Sequence, residues 1–172
     1  VVAEPAQAAL QLITLASQRN WSGTGEWFDD LHAAIRHRPP EWQRIKTPPN
    51  RPLHAVEVCR AVAERLRGSD EAVFISDGGE FGQWAQAIVT ASHRIINGPS
   101  GSIGSAIPFA LAARLLLPNA RIVAMLGDGT FGFHAMEFDT AVRYNLAFVA
   151  VVGNDAAWNS EYQLQLKKYG PP

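Results

Sequence analysis

Hydrophobic positions near the N-terminus recur with the spacing of amphipathic helices. Residues 1–20 are rich in Ala, Leu and Gln and predict a helix, with Leu10, Leu12 and Ile13 roughly on one side. A second amphipathic segment follows, with hydrophobic residues at i, i+4 and i+8: Trp27, Leu31 and Ile35.

Prolines interrupt this pattern between residues 39 and 52. Five of them crowd the stretch, and because proline fixes φ and lacks an amide hydrogen, we expect neither a regular helix nor a central strand there. We therefore predict that 21–52 is a connector that lies along a surface. Its apolar anchors would be the three tryptophans of the segment: Trp21, Trp27 and Trp42.

From residue 53 onwards, short apolar runs alternate with amphipathic stretches. The apolar runs predict strands at Ala72–Asp77, Ser92–Asn97, Arg121–Gly127 and Leu146–Gly153. The other stretches predict helices at His54–Arg67, Ser102–Leu117 and Phe133–Tyr144. Near-continuous apolar strands separated by helices are typical of a parallel sheet covered on both faces, so we predict an α/β fold with a doubly wound parallel sheet. Ligands of such sheets bind at the carboxyl ends of strands, here the residues after Asp77, Gly127 and Gly153.

Composition limits the possible partners. The 172 residues carry 15 Lys+Arg against 16 Asp+Glu, a net charge of −1 with neutral histidines. That balance argues against a nucleic-acid backbone or an anionic membrane as the main partner. Charged residues make up 18% and hydrophobic residues 47%, which excludes disorder and a coiled coil. The shortage of charge suggests that part of the surface is covered by something else.

The single cysteine and the apolar runs favour a cytoplasmic protein. Cys59 cannot form an internal disulfide, and its place on the apolar side of a predicted helix favours core packing over a role as nucleophile. The longest apolar run, Leu146–Val152, is too short to span a bilayer. We expect no signal peptide, since no basic region precedes an apolar core at the N-terminus. A sequence that begins with Val1 is consistent with a fragment or a processed product.

A Gly-Asp-Gly-Thr run follows the third predicted strand. Gly127 and Gly129 permit a tight turn and close approach of a ligand to the main chain, and Thr130 can cap the helix that follows. A helix N-terminus favours a phosphate, but the Asp128 carboxylate would repel it. A divalent cation between them resolves the conflict, because Mg²⁺ prefers one or two carboxylates together with phosphate oxygens.

The fourth predicted strand ends in Gly153, followed by Asn154 and Asp155. Their oxygens would lie beside Asp128, because neighbouring parallel strands end at the same edge of a sheet. Gly-Asp-Gly alone is more often a structural turn. Together with the Asn-Asp pair it predicts a metal–diphosphate site, in which Asp128 and Asp155 bind the cation.

These motifs resemble those of thiamine diphosphate-dependent enzymes. The stretch from Gly127-Asp128-Gly129-Thr130 to Asn154-Asp155 is similar to the family's cofactor motif, which begins with Gly-Asp-Gly and ends in an Asn pair. The runs Phe131-Gly132-Phe133 and Met136-Glu137-Phe138 resemble acetolactate synthases, 2-hydroxyacyl-CoA lyases and oxalyl-CoA decarboxylases. The resemblance covers about residues 53–170 and implies a diphosphate-binding domain.

The cofactors that the resemblance implies are thiamine diphosphate and Mg²⁺. The metal would be bound by Asp128, Asp155 and the carbonyl of Ala157. The cofactor would also contact the Gly-Asp-Gly-Thr run and the glycine and acid that follow the first strand: Gly127, Gly129, Thr130, Gly79 and Glu80. Asp77-Gly78-Gly79-Glu80-Phe81, with Trp84, stands where relatives place diphosphate contacts.

Further site residues follow from the same resemblance. Gly101-Ser102-Ile103-Gly104 is similar to the segment that holds the thiazolium and aminopyrimidine rings. Ile103 would be the apolar wedge that bends the cofactor, and the Gly101 carbonyl would accept from its 4′-amino group, with Ser102 beside them. Glu161 aligns with an acid used for proton transfer in pyruvate decarboxylase-like relatives.

Three positions depart from the family pattern. Asp155 stands where the usual second metal ligand is Asn, and like charges about 4 Å apart repel by roughly 4 kcal/mol at an effective dielectric of about 20. We therefore predict that Asp155 tightens the metal and loosens the diphosphate at low Mg²⁺. Glu80 and Phe81 stand where synthases commonly carry polar amide and imidazole groups.

The resemblance also implies a domain arrangement and partners. Residues 1–20 resemble the tail of a preceding central domain, and 53–172 would form an incomplete diphosphate-binding domain, because family members continue with further strands. A pyrimidine-binding domain, normally of a second subunit, supplies a glutamate that protonates the cofactor, and no segment here matches it. We expect a homo-oligomer, dimer or tetramer, that acts on a 2-oxo acid or 2-hydroxyacyl substrate. The chain alone is expected to be inactive and to bind the cofactor weakly.

Other interpretations stay open. The first interpretation is an acetolactate synthase-like carboligase or decarboxylase, and the second is a 2-hydroxyacyl-CoA lyase or oxalyl-CoA decarboxylase. The sequence does not distinguish between these activities. From another class, a non-catalytic metal- or phosphate-binding module fits the same motifs. The glycines of 98–104 recur every third residue, unlike a dinucleotide fingerprint, and no P-loop is present. His134 is expected to cap a helix or lie on the surface, and His54 and His93 to be structural.

Overall fold

The computed structural model describes residues 4–19, 25–97 and 101–171. Its contacts divide the chain into two units, Val1–Pro39 and Pro40–Pro172. The first unit contains α1 (Pro5–Gln18) and α2 (Gly25–Arg36), which confirms the two helices predicted there. Trp21 lies outside the described residues. The interpretation of 1–20 as a domain tail and of 21–52 as a connector stays a prediction.

The second unit alternates helices and strands, as the apolar pattern predicts. Its helices are α3 (Pro40–Arg44), α4 (Ala55–Leu66), α5 (Gly79–Ile88), α6 (Ala106–Leu116), α7 (Asp128–His134), α8 (Glu137–Arg143) and α9 (Asn159–Tyr169). Its strands are β1 (Ala72–Asp77), β2 (His93–Ile96), β3 (Arg121–Gly127) and β4 (Val149–Gly153). No helix in the described part of the chain is long and apolar enough to cross a membrane.

All four strands are parallel, in the order β2-β1-β3-β4. Asp77 pairs in register with Leu126, and Gly127 pairs with Gly153, so the carboxyl ends of β1, β3 and β4 meet at one edge. The loops that carry the candidate chemistry therefore leave the sheet side by side. This topology confirms the α/β fold.

Helices cover both faces of the sheet. Because side chains alternate along a strand, neighbouring residues of β1 and β3 enter different layers. On one face they pack against α6: Val73, Ile75, Ile122, Ala124 and Leu126 with Ala106, Ile107, Ala110 and Ala113. On the other face they pack against α4 and α5: Ala72, Phe74, Val123 and Met125 with Cys59, Leu66 and Ala85. Cys59 is fully buried, and burial raises the pKa of its thiol to about 11, which confirms the core role.

A network of polar contacts ties residues 40–54 to α4. The Arg60 guanidinium donates to the carbonyl oxygens of Gln43 at 2.7 Å and of Ile45. The amide and hydroxyl of Thr47 both donate to Oε2 of Glu57, and the hydroxyl contact is the main cause that lowers the pKa of that carboxyl. His54 caps α4 through Nδ1, which accepts from the Val56 amide at 3.1 Å, so its structural role is confirmed.

Several local predictions were wrong. The proline-rich stretch contains the short helix α3, which is possible because Pro40 occupies its first position, where no amide hydrogen is needed. The predicted helix Phe133–Tyr144 is two helices, and the first begins already at Asp128. Thr130 does not cap it, because Gly127 is the N-cap residue and Thr130 is buried within the helix. Helices α5 and α9 were not predicted.

Strand β4 also differs from its prediction. Its apolar sequence is typical of a covered strand, but it forms an edge of the four-stranded sheet. Val149 is 56% exposed and Val152 is 37% exposed. An apolar sequence therefore indicates that a strand is suited to burial. It does not show whether another element of the described structure covers that strand.

Candidate functional site

A cavity lies at the carboxyl edge of the sheet, where β1, β3 and β4 end. Four loops and helix starts meet there, and the lining residues are Gly79, Glu80, Phe81, Ile103, Gly127, Asp128, Gly129, Thr130, Gly153, Asp155, Ala157, Trp158, Asn159, Ser160 and Glu161. Most of the site residues implied by the sequence are thus brought together. The exceptions are Gly101 and Ser102, which are exposed and do not line the cavity.

The Gly-Asp-Gly turn forms one wall of this cavity. β3 ends at Gly127, and α7 begins at the next residue, Asp128, whose side chain is half-buried. The first turn of a helix has main-chain N–H groups without partners inside the helix. The turn therefore offers a carboxylate and amide donors at the same place.

Another part of the cavity wall is the loop after β4, whose shape is set by two short side chains. Asn154 Oδ1 accepts from the Ala156 amide at 2.8 Å, and Asp155 Oδ1 accepts from the Ala157 amide at 3.1 Å. Ala156 adopts a positive φ of 56°, which these contacts support. The two hydrogen bonds fix the loop, so Asp155 and Ala157 are positioned before any ligand binds.

The donor set of the cavity fits a small divalent cation that is bound with a phosphate. Asp128 and Asp155 supply two carboxylates where β3 and β4 end. Glu80 and Glu161 also line the cavity, but no three His, Cys, Asp or Glu side chains within the described ranges are grouped so that they could hold a metal ion. A cation here would take its other ligands from main-chain oxygens, water and an anionic ligand. This is the coordination that Mg²⁺ prefers when it binds phosphates.

Two aromatic rings close the cavity against the glycines. A Cβ atom on Gly153 would lie 2.4 Å from Cγ of Phe81, so the ring covers the last residue of β4 and leaves no room for a side chain. Trp158 lies against Gly129, and its ring also meets Phe133 edge-on, with centroids 6.2 Å apart. The glycines of the motif therefore serve close packing as well as the turn.

Asp77 holds the loop that carries Ile103. Its side chain is fully buried, and Oδ2 accepts from the amides of Gly104 at 3.0 Å and Ala106 at 2.8 Å. Burial raises the pKa of the Asp77 carboxyl, and the two amide contacts oppose that shift. The sequence places Asp77 among diphosphate contacts, but it lies behind the cavity wall and does not line it.

The remaining candidates occupy α5 and α9. Glu80 lines the cavity, and its Oε1 accepts from Trp84 Nε1 at 3.3 Å. Trp84 itself lines a neighbouring cavity, where its ring meets Trp42 edge-on at 4.9 Å. Glu161 lies in the first turn of α9 and reaches the site cavity.

Two contacts of this site were not predicted from the sequence. His134 Nδ1 lies 2.6 Å from the carbonyl oxygen of Gly104, and Trp158 packs on Gly129. Neither contact has a local signal, because the first joins residues 30 positions apart and the second depends on how α9 packs.

The sheet and its edge define the class of protein: a doubly wound α/β domain with a ligand site where the strands end. Residues 77–172 match the family "Thiamine pyrophosphate enzyme, C-terminal TPP binding domain". The chain therefore belongs to this family of thiamine diphosphate-binding domains, which confirms the resemblance.

Individual relatives agree. The chain is 38% identical over 122 residues to acetolactate synthase large subunit IlvG of Mycobacterium tuberculosis, a match that covers 69% of this chain and 22% of the relative. It is 30% identical over 171 residues to human 2-hydroxyacyl-CoA lyase 2, which covers 94% of this chain and 26% of the relative. The chain thus spans about a quarter of the length of these curated relatives.

A solved structure shows the same fold. It is the thiamine diphosphate-dependent 4-hydroxybenzoylformate decarboxylase of Rhodococcus jostii, with a TM-score of 0.63 and 17% sequence identity. The match covers 74% of this chain and 25% of that structure.

Proposed function

We propose that this chain is the diphosphate- and Mg²⁺-binding part of an acetolactate synthase-like enzyme, a carboligase or decarboxylase of 2-oxo acids. The observation that carries the proposal is that one cavity is lined both by the Gly-Asp-Gly turn, which contains Asp128, and by Asp155 and Ala157 of the loop after β4. Two carboxylates and a main-chain carbonyl leave room for diphosphate oxygens around one cation. Asp128 and Asp155 would hold Mg²⁺, and the amides of the first turn of α7 would meet the diphosphate.

Thiamine diphosphate, when bound, would supply an electron sink that stabilises negative charge on the former carbonyl carbon of the substrate. The residues of this chain orient it and exclude water. Ile103 would set the bend between its rings, while Phe81 and Trp158 would close the cavity from either side. Glu161, at the start of α9, would hold or deliver a proton at the substrate side. Gly101 and Ser102 would contact the rings from the exposed loop before Ile103.

The site is completed by a second subunit in this proposal. A pyrimidine-binding domain would supply the glutamate that protonates the cofactor, and it would cover apolar surface that is exposed in this chain, such as Phe133, 55% exposed beside the cavity. A homo-oligomer, dimer or tetramer, would bring that domain into place. We propose a cytoplasmic enzyme.

A 2-hydroxyacyl-CoA lyase is the second candidate, and one observation favours it. The human lyase aligns with 94% of this chain, whereas the mycobacterial synthase aligns with 69% at higher identity. Turnover assays of the complete enzyme with pyruvate and with a 2-hydroxyacyl-CoA separate the two.

The proposal is tested by calorimetric titration of the chain with thiamine diphosphate in the presence of Mg²⁺. We expect Asp128→Asn to weaken binding at least about tenfold, which is a loss of about 1.4 kcal/mol, because the variant keeps the side-chain shape but loses the charge. The matched control is Asp139→Asn on α8, where the carboxylate pairs with Arg143 on the surface. Binding of a nucleotide instead of thiamine diphosphate would favour the non-catalytic module.

A further inference from the structure

One residue of the loop 101–105 is held from both sides. The Gly104 amide donates to the buried Asp77 carboxylate at 3.0 Å, and its carbonyl oxygen lies 2.6 Å from Nδ1 of His134. Gly104 is itself buried and adopts a φ of +103°, a conformation open to glycine but rarely to other residues. The two hydrogen bonds therefore fix the peptide units on either side of Gly104, directly after Ile103.

The His134 contact defines the protonation of the ring. A carbonyl oxygen only accepts hydrogen bonds, so Nδ1 must carry the proton and donate it. His134 is the last residue of α7, and Asp128 is the first. One short helix thus joins the proposed cation ligand to the loop that carries Ile103.

Packing supports the same link. A Cβ atom on Gly104 would lie 2.9 Å from Cβ of Phe133, so the loop rests directly on the end of α7. Phe133 in turn meets Trp158 at the cavity wall. A shift of α7 would therefore move the loop and the wall together.

We propose that His134 is a positioning residue: its hydrogen bond to Gly104 sets how far Ile103 enters the cofactor cavity. This inference rests on the proposed function, because the ring-binding role of Ile103 belongs to it. Asp77 is a poor place to test the link, since a change of this buried side chain alters stability as well as the position of the loop. His134 is exposed, and its substitution leaves the core intact.

The test compares His134→Leu with His134→Asn. Leu and Asn are similar in size, but only Asn has a hydrogen-bond donor at the position of Nδ1. The control is His93→Leu on the exposed strand β2. Each variant is titrated in the presence of Mg²⁺ with thiamine diphosphate, which has rings and diphosphate, and with inorganic pyrophosphate, which has no rings.

We expect His134→Leu to weaken thiamine diphosphate about 3- to 10-fold, the range for loss of one hydrogen bond, and to change pyrophosphate less than about twofold. His134→Asn should restore binding. Equal weakening of both ligands would indicate a merely structural role and overturn the proposal. Unchanged binding of thiamine diphosphate in His134→Leu, or no rescue by Asn, would overturn it as well.

Amide hydrogen exchange of the ligand-free chain tests the hydrogen bond by itself. We expect faster exchange within 101–106 in His134→Leu, and no change in His134→Asn or His93→Leu. Unchanged exchange in His134→Leu would overturn the link between α7 and the loop. If the unaltered chain binds neither ligand, the proposed function and the positioning role both fail. If the unaltered chain binds thiamine diphosphate and His134→Leu binds it equally well, only the positioning role is refuted.

Discussion

At the scale of single residues, the charge of Asp155 decides how metal and diphosphate share the site. The side chain is exposed, so water screens its repulsion of a nearby anion to about 1 kcal/mol at 4 Å rather than the larger value of a dry site. We expect Asp155→Asn to weaken Mg²⁺ about fivefold and to tighten thiamine diphosphate by a similar factor at low Mg²⁺. Calorimetry at two Mg²⁺ concentrations checks this, and unchanged affinities would contradict it.

Asp77 gives a second residue-level prediction, about pH. Burial raises the pKa of its carboxyl in the folded chain above the ordinary value of 3.8, so the folded state holds this proton more tightly than the unfolded state. The contribution of Asp77 to the free energy of unfolding should therefore fall as the pH rises from about 4 through the folded pKa, and stay level above it. Asp77→Asn carries no titrating group and should lack this fall.

The measurement is chemical denaturation of both proteins between acidic and neutral pH. The stability of Asp77→Asn relative to the unaltered chain should increase with pH, whatever constant offset the new amide adds. A difference that is flat, or that has the opposite slope, would show that the amides of Gly104 and Ala106 outweigh burial.

The candidate site shows how far residues alone can lead. Asp128 and Asp155 could be predicted because each follows an apolar strand, and parallel strands end at a common edge. The roles of Asp77 and His134 could not, because both depend on where the loop around Gly104 lies after folding. A buried acid at a strand end and a histidine at a helix end have no distinguishing local pattern.

At the scale of elements, Arg60 connects α3 to α4. The last carbonyl groups of a helix lack partners inside it. The Arg60 guanidinium donates to the carbonyl oxygen of Gln43, in the last turn of α3, and to that of Ile45, the residue after the helix. We expect Arg60→Met to speed amide exchange across 41–47 by about 10- to 30-fold, as loss of charge-assisted hydrogen bonds of about 1.5–2 kcal/mol implies. Arg65→Met, on the exposed side of α4, is the control and should leave 41–47 unchanged.

Some helices and strands could be predicted from the pattern of apolar residues and others could not. β1 and β3 match their predicted bounds because both are central strands in which most residues are buried and apolar. α5 and α9 were missed because glycines interrupt the first, and the second is polar with little apolar periodicity. Exposure of β4 could not be predicted, since burial of a strand depends on its neighbours rather than on its own sequence.

At the scale of the whole molecule, the shortage of charge acquires a physical meaning. Large apolar side chains are exposed on several elements, including Leu10, Leu116, Met136 and Val142. We propose that part of this exposed apolar surface contacts another protein domain. The chain spans about a quarter of the length of these relatives, and we propose that its site is one half of an active site that a pyrimidine-binding domain completes.

The last prediction follows from the proposal that this chain holds one half of an active site. With Mg²⁺, thiamine diphosphate and pyruvate, the isolated chain should turn over at least about a hundredfold more slowly than the mycobacterial synthase assayed beside it, since a missing general acid alone costs about 10²–10⁴. Binding of the cofactor should nevertheless be measurable and should depend on Asp128, because that half of the site is present. Turnover comparable to the synthase would contradict the requirement for a second subunit. Absence of both turnover and Asp128-dependent binding would instead contradict the proposed cofactor site.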